Sequence, residues 1–541
     1  MFIPLTPLRC LHRAVDLFGS STGVVSGDRQ FTYAQFGERA ERLAGGLTRL
    51  GIQPGDRVAY LSFNNHQLLE GYFGVVQARA IVMPLNVRLA ESELGAILQH
   101  SGARAVIFEA DFAGVAERLQ KDLPDVERWI AIGEKARPAD LVYEEVIDQG
   151  RAERADICSY DEMSIAELFY TSGSTGTPKG VMLSHRTLYL HALGVALSCH
   201  RPETIVDLHT IPLFHANGWG QPQASTLLGH KQVMVRRFEP TGVFRLIEQH
   251  KATDMSLVPT MANALLNAPD KDQFDLSSLR RMMTGGAANS PALVEKWEKA
   301  FPRCECVAGY GLTETSPVVT TALGNGLAYG SDQERWRRQA MTGRAVPGAE
   351  LRVVDADLRD VPRDGSTIGE IVIQGDQVMD GYFRDPEGTA SAMVGTLSPT
   401  SSSTPLSKWL RTGDMAVWDS LSYVNIVDRK KEIIISGGEN ISSIEVEAAV
   451  NAHPAVAECA VVSAPDETWG EVPVAIVVLK AGASLDEVEL KEFLRARLSR
   501  FKLPRMIEFR GEPLPKTGTG KIRKMVLKEK FWSGKDTRVQ G

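Results

Sequence analysis

The chemistry this sequence advertises first is the binding of phosphate. In FYTSGSTGTPKGVMLSH (169–185), an apolar strand runs into ten residues, 171–180, that hold three Gly, two Ser, three Thr and one Lys. Glycines take unusual backbone angles and let N–H groups approach an anion closely. Hydroxyls add donors, and Lys179 adds a positive charge. A solvated surface turn rarely needs this density of Gly and hydroxyl groups between two apolar strands. Two other chemistries fail on spacing. A Walker loop requires Gly-Lys followed by Ser or Thr, whereas Lys179 lies between Pro178 and Gly180. A serine-hydrolase elbow requires Gly two residues either side of its nucleophile, and the residue two before Ser174 is Ser172. The loop reads as a polyphosphate cradle of another kind.

TSGSTGTPKG resembles the signature loop of the AMP-forming adenylate synthetases, which include acyl-CoA synthetases, firefly luciferase and peptide-synthetase adenylation domains. Further segments match in the family's order, so the resemblance covers essentially the whole chain. It is greatest to bacterial medium- or long-chain fatty acyl-CoA synthetases. In the loop it implies ATP or AMP binding by Thr171, Ser172, Gly173, Ser174, Thr175, Gly176 and Lys179. TGGAA (284–288) resembles the turn beside the base, with Gly286 and Ala287 at the nucleotide. GYGLTET (309–315) implies that Tyr310 stacks on adenine, with Gly311 and Thr313 beside the nucleotide. Glu314, together with Thr175, is implied to hold magnesium, for which a carboxylate is a suitable hard ligand.

RTGD (411–414) resembles the segment whose aspartate grips the ribose hydroxyls, and one carboxylate such as Asp414 can accept both bonds from a vicinal diol. DRKKEIIISGGENISSIEVE (428–447) resembles the hinge segment. It implies Arg429 near the ribose, Lys431 as pivot, and Gly437 and Gly438 beside the CoA tunnel. In PKTGTGKIRK (515–524) the match to the catalytic lysine is Lys521, while Lys516, Arg523 and Lys524 read as solvated basic residues. PLFHANGWG (212–220) implies His215 near the carboxylate and phosphates and Trp219 as an aromatic acyl gate, plain core packing being the alternative.

The activity so implied is ATP-dependent conversion of a carboxylic acid to acyl-AMP, then transfer to CoA, with ATP, Mg2+ and CoA required. Relatives that use acetate carry Trp where Gly311 stands, so Gly311 and Trp219 together favour a medium- or long-chain fatty acid in the acyl pocket. An aromatic acid, or a carrier protein as acyl acceptor, is the alternative. An inactive homologue is disfavoured by the presence of Thr175, Glu314, Asp414 and Lys521. One departure stands out: the Ser/Thr-rich VGTLSPTSSSTPLS (394–407) and Lys408 occupy an interval that is short in the family.

Such residues need a large scaffold. The chain has 541 residues, 43% of them apolar and 23% charged, as in soluble globular proteins. Sixty basic against 67 acidic residues leave a net charge of −7, which excludes a nucleic-acid binder relying on overall positive charge. Six scattered cysteines make no disulfide framework, and Cys304 and Cys306 read as buried free thiols. The N-terminus, broken by Pro4, Pro7, Arg9 and Arg13, lacks a signal-peptide core, and no apolar run reaches the ~18 residues of a membrane span. The expectation is a cytoplasmic monomer or homodimer whose partners are a small carboxylic acid, ATP and CoA, with peripheral membrane contact left open.

Helix-like and strand-like patterns alternate through the first four hundred residues: a helix over 31–51, a strand over 57–62, a helix over 68–80 and a strand over 103–109. That alternation predicts an α/β fold with largely parallel sheets. Beyond about residue 430 a compact unit is expected, with a strand at 432–436 and a helix over 442–453 capped by Ser442 or Ser443. Two further strands precede a helix opened by a Ser484/Glu487 capping box. The expected architecture is a large multi-sheet α/β N-terminal domain, 1–429, joined by a hinge to a small, mobile α+β C-terminal domain, 430–541.

Overall fold

Local signals account for most element boundaries. Over 31–51 the sequence divides into a strand, Arg29–Thr32, and a helix, Tyr33–Arg49, because Thr32 and Gln35 form a reciprocal capping box. The buried stripe of that helix, Tyr33, Phe36, Ala40, Leu43 and Leu47, has the helical period. The next helix is His66–Gln77, starting before its expected position because the Asn65 side chain accepts from Leu68 N at 2.8 Å. The strands Arg57–Leu61 and Ala103–Glu109 lie where the apolar runs place them.

The computed structural model describes residues 2–171, 178–199, 201, 204–287, 289–324, 329–395, 408–430, 432–436, 439–466, 468–495, 497–516 and 522–533. They form two compact units: residues 1–351 with 373–410, and residues 352–372 with 411–541.

The larger unit is built on two sheets. In the first, Glu305–Gly311, Arg281–Thr284, Asp254–Leu257, Val206–His209, Lys231–Met234 and Thr22–Ser26 lie side by side and parallel. Val318–Thr321 and Arg29–Thr32 extend it antiparallel at either side. The second runs Gly381–Tyr382, Lys179–Ser184, Ile165–Thr171, Ile81–Pro84, Arg57–Leu61, Ala103–Glu109, Arg128–Ile132 and Leu141–Val142. One core joins the two, holding Val24 from the first sheet, Val58, Phe169 and Val181 from the second, and Leu69, Tyr72 and Phe73 from the buried helix His66–Gln77. Asn64 completes the link. Its amide donates to the carbonyls of His209 and Ile211, both at 2.9 Å, and its Oδ1 accepts from Leu213 N at 2.7 Å.

The smaller unit takes up the strand Trp409–Trp418 from Arg411; this strand forms a hairpin with Val424–Arg429 and is followed by a sheet of Glu439–Ile441, Ile434–Ser436, Gly470–Leu479 and Val456–Asp466, with Met506–Arg510 parallel to Gly470–Leu479. Val446 and Val450 of the helix Ser443–Asn451 and Leu490 and Leu494 of the helix Glu487–Arg495 cover one apolar cluster. Leu527 of the helix Lys524–Trp532 covers another. This is the α+β pattern expected. Ser442 caps the first helix, its side chain accepting from Glu445 N. The expected Ser484/Glu487 box does not form: the helix begins at Glu487, and Asp486 accepts from Glu489 N at 2.8 Å. An ionised carboxylate at that position also meets the positive end of the helix dipole, which a Ser hydroxyl two residues earlier cannot.

Candidate active site

The antiparallel strands Ile165–Thr171 and Lys179–Ser184 pair Thr171 opposite Lys179, so both stems of the Gly-rich loop are fixed. Ser172, Gly173, Ser174, Thr175 and Gly176 lie outside the described residues. Lys179 Nζ stands 4.5 Å above the Tyr382 ring and 3.7 Å from Asp385 Oδ2. The Tyr382 hydroxyl donates to Glu314 Oε1 at 2.9 Å. Tyr382 is placed by pairing with Val181 on the strand that Lys179 opens, and Glu314 by the turn Thr313–Thr315, whose Glu314 carbonyl accepts from Met379 N at 2.8 Å. One phenol thus lies between the ammonium of the loop and the carboxylate of GYGLTET. Burial, and next the Glu314 charge, push the Tyr382 hydroxyl well above the usual tyrosine range, so it stays a donor.

Tyr310, Gly311 and Thr313 are half-buried around the strand Glu305–Gly311 and the turn after it. A Cβ on Gly311 would come within 1.6 Å of the Pro317 carbonyl oxygen. The tight return of the chain therefore demands glycine there independently of the acyl group. The TGG turn is equally close-packed. A Cβ on Gly285 would stand 2.9 Å from both Gly309 O and Trp219 Cη2, and Gly286 turns the exposed chain with φ +73°. Ala287 is exposed beside it, and Ala288 lies outside the described residues.

Trp219 is buried, packed with Val195, Ile211, Ala224, Val318 and Val346 while lying against the Gly285–Gly286 turn. It sits in a left-handed run: Ala216, Asn217, Gly218, Trp219 and Gly220 have φ of 44°, 41°, 56°, 63° and 77°. Each non-Gly residue in that region costs on the order of 1 kcal/mol, so something must hold the run in place. Glu167, fully buried on the strand entering the Gly-rich loop, accepts from Asn217 Nδ2 at 3.2 Å and Gln223 Nε2 at 2.7 Å. Burial, outweighing those two bonds, raises its carboxyl to about 8. Beside Gly220, His191 accepts from Val318 N at 3.1 Å through Nε2, and burial lowers it to about 3, leaving it neutral. His215, at the head of the run, is half-buried and pulled down to about 4 by burial and then by the Arg88 charge. It is neutral at pH 7.

In the smaller unit, hairpin register sets Asp414 directly opposite Arg429, and their side chains pair at 2.6 Å with the carboxylate almost fully buried. Two residues that family resemblance assigns to one ribose are therefore cross-strand neighbours. Lys431, Gly437, Gly438 and Lys521 lie outside the described residues, as do residues 396–407 of the Ser/Thr-rich segment. Lys524 corrects its reading as a solvated residue: it is largely shielded from solvent, bonded to Ser443 Oγ at 2.7 Å and Glu447 Oε1 at 2.8 Å, with Glu432 at 3.7 Å. Its position, facing the helix Ser443–Asn451 rather than solvent, is not visible in the basic local sequence. Lys516 also has a partner, Glu458.

Among the described residues no group of three or more metal-ligating side chains occurs. A divalent cation at Glu314 would draw its other ligands from phosphate oxygens and water, as magnesium does. The residues fit that role: a lone carboxylate steadied by a phenol, an ammonium across the ring, and close-packed glycine turns that bring backbone near a ligand. The part of this cluster that motif reading missed is Tyr382 with Asp385. The signal was the aromatic in GYFRD (381–385), which has no chemistry until the fold brings it to Glu314.

Comparison with known proteins matches the AMP-binding enzyme family over residues 11–383 and the AMP-binding enzyme C-terminal domain over 445–521. A long-chain-fatty-acid–CoA ligase of Thermus thermophilus is 38% identical over 96% of this chain and 94% of its own. The 2-methylpropanoate–CoA ligase CCL4 of Humulus lupulus is 35% identical over 97% of this chain and 95% of its own. Among solved structures, the anthranilate CoA ligase AuaEII in complex with anthranoyl-AMP superimposes with a TM-score of 0.85 at 26% identity, over 98% of both chains.

Proposed function

The chain belongs to the AMP-binding enzyme family, as an AMP-forming acyl-CoA synthetase that uses ATP, Mg2+ and CoA, and on that premise we propose that the acid it activates is a medium- or long-chain fatty acid. The observation that carries the site assignment is the grouping of two motif residues distant in sequence, Lys179 and Glu314, around the Tyr382 phenol. The fatty acid is supported by Trp219, placed at the nucleotide turn where it can close off an aliphatic chain, and by the name of the Thermus relative.

A carboxylate is a poor acyl donor, because its charge repels nucleophiles and oxide does not leave. In the first half-reaction a carboxylate oxygen attacks the α-phosphorus in line, and the bond to the β-phosphate oxygen breaks, releasing pyrophosphate. Two anions must meet, so positioning and positive charge dominate the barrier. Magnesium at Glu314 would neutralise charge on the phosphates. Lys179 and the loop Thr171–Gly176 hold the phosphates, Tyr382 orients the Glu314 carboxylate, and Lys521 bridges the carboxylate and the α-phosphate. Gly286, Ala287, Tyr310, Gly311 and Thr313 bound the adenine, and Asp414 with Arg429 takes the ribose. Neutral His215 offers the reacting carboxylate a hydrogen bond without trapping it as an ion pair. In the second half-reaction the CoA thiol attacks the acyl carbonyl and AMP leaves. We assign its channel to Gly437 and Gly438, with Lys431 as the hinge between domains 1–429 and 430–541.

Six free cysteines suit a reducing compartment such as the cytoplasm, and no described helix is long and apolar enough to cross a membrane. The decisive experiment is pyrophosphate release across straight-chain acids from acetate to stearate and a few aryl acids, with and without CoA. Activation of aryl acids alone, or thioester formation on a carrier protein but not CoA, would replace this reading.

A further inference from the structure

Strand register in the parallel sheet lines up a row of charged residues away from the nucleotide turn. Val206, Leu208, Met255, Leu257 and Met282 pack into the apolar core on one face. Alternation therefore turns Asp207, His209, Asp254, Ser256, Arg281 and Met283 to the other face. Asp207 pairs with Asp254 and Asp254 with Arg281 across neighbouring strands. These residues line a cavity of about 50 Å³, together with Gly218, Gln221 and His230. Ile211, which also lines the cavity, packs in one apolar cluster with Trp219, whose indole lies on Gly285–Gly286, so the cavity adjoins the proposed gate.

The inner wall is polar, and its groups are paired in a way that leaves an acceptor over. Asp207 Oδ2 lies 2.9 Å from His230 Nδ1 and also accepts from Ser225 Oγ. Its other carboxylate oxygen has no hydrogen-bond partner among the described residues. Asp254 is held by Arg201 and by Thr253 Oγ1 at 2.6 Å. Arg281 is held by Glu305 at 3.3 Å and the Cys199 carbonyl at 3.1 Å. His209 Nε2 is 3.1 Å from Gln232 Oε1. A methyl end pushed into this row would strip water from these groups and return nothing. A second carboxylate would face Asp207 and Asp254.

We infer that the inner end of the acyl chamber is a subsite for a hydrogen-bond donor at the far end of the substrate, so that the acid is a medium-chain ω-hydroxy acid, its hydroxyl donating to the free oxygen of Asp207. This rests on the ligase reading above and narrows its fatty acid. Length follows from the sheet. Arg281 lies four residues before Gly285, a span of ~13 Å at about 3.3 Å per strand residue. An extended backbone covers ~3.5 Å in three bonds, so that span accommodates roughly ten carbon atoms.

The test is kcat/KM for AMP formation with straight-chain acids from butyrate to tetradecanoate, each with and without an ω-hydroxyl. Near the optimum length the ω-hydroxy acid should exceed its parent by about tenfold or more, the range of a hydrogen bond to a charged group. D207N, close in size, should lower that ratio several-fold, and D207A should bring it near one. The wild-type ratio decides the matter where a variant does not fold. Parent acids equal or superior at every length, or a ratio unmoved in a folded Asp207 variant, would show the charged row to be structural and overturn the subsite alone. No AMP formation with any acid would instead refute the ligase reading, and this one with it.

Discussion

Replacing Glu167 with Gln should remove a specific part of the pH dependence of stability. Burial raises this carboxyl from 4.5 to about 8. The folded protein thus holds the proton more tightly than the unfolded chain does. The stability linked to it is fully present below about pH 4.5 and is lost as pH rises through about 8. At about 1.4 kcal/mol per pH unit the loss reaches roughly 5 kcal/mol over that window. Gln keeps the shape and does not titrate. Asn217 Oδ1 and Gln223 Oε1 are buried without a partner, so the new amide can donate to one of them while accepting from the other residue. Urea unfolding of wild type and E167Q from pH 5 to 9 isolates the effect, because all other titrations cancel in the difference. The variant should gain on wild type by about 1.4 kcal/mol for each pH unit between 5 and 8. Parallel stability curves would mean that Glu167 ionises freely in the fold, and that the left-handed run of 216–219 is held some other way.

Asp414→Ala should weaken ATP binding by about 2–4 kcal/mol, since it removes a buried charged acceptor; calorimetric titration with unchanged affinity would exclude Asp414 from the nucleotide site. Trp219→Ala should change acyl-chain preference more than the KM for ATP, read from kcat/KM over an acid series, whereas loss of folding without a change in selectivity would make Trp219 a core residue. Lys524→Met should destabilise the protein by about 3–5 kcal/mol, because Glu447 is left buried with an unmatched charge; an unchanged midpoint in urea would place Lys524 in solvent. Lys521→Ala should suppress pyrophosphate release by several orders of magnitude while leaving thioester formation from supplied acyl-AMP and CoA near the wild-type rate. Equal damage to both half-reactions in a folded variant would remove its role in adenylation.

Much of this protein was legible without coordinates wherever the signal is local. The helix capped at Ser442, and strands such as Ala103–Glu109 and Ile434–Ser436, follow from spacing over a few residues, whereas the Thr32 cap that divides 31–51 was not read there. The Gly-rich loop is readable for the same reason, since its chemistry lies in the composition of ten consecutive residues. The Ser484/Glu487 capping box shows the limit of such reading. Two nearby side chains can both satisfy a capping pattern, and the turn geometry chose Asp486.

Properties that depend on distant partners were decided by tertiary structure. Glu167 in ELFYT is an ordinary polar residue in a strand until the sheet buries it beneath Asn217 and Gln223. Lys524 lies in a run of basic residues, yet its helix turns it toward Glu447, 77 positions away in the chain, where little solvent reaches the pair. Tyr382 reaches Glu314 across 68 residues because its short strand pairs with the one that Lys179 begins. Asp207 and Asp254 are neighbours by strand register alone. By itself the sequence determined which kinds of group are present and roughly where strands and helices run, because those follow from nearest neighbours. Only the packed chain decided which charges are buried, which carboxylate keeps its proton and which side chains meet, because desolvation and pairing are set by residues far apart in sequence and adjacent in space.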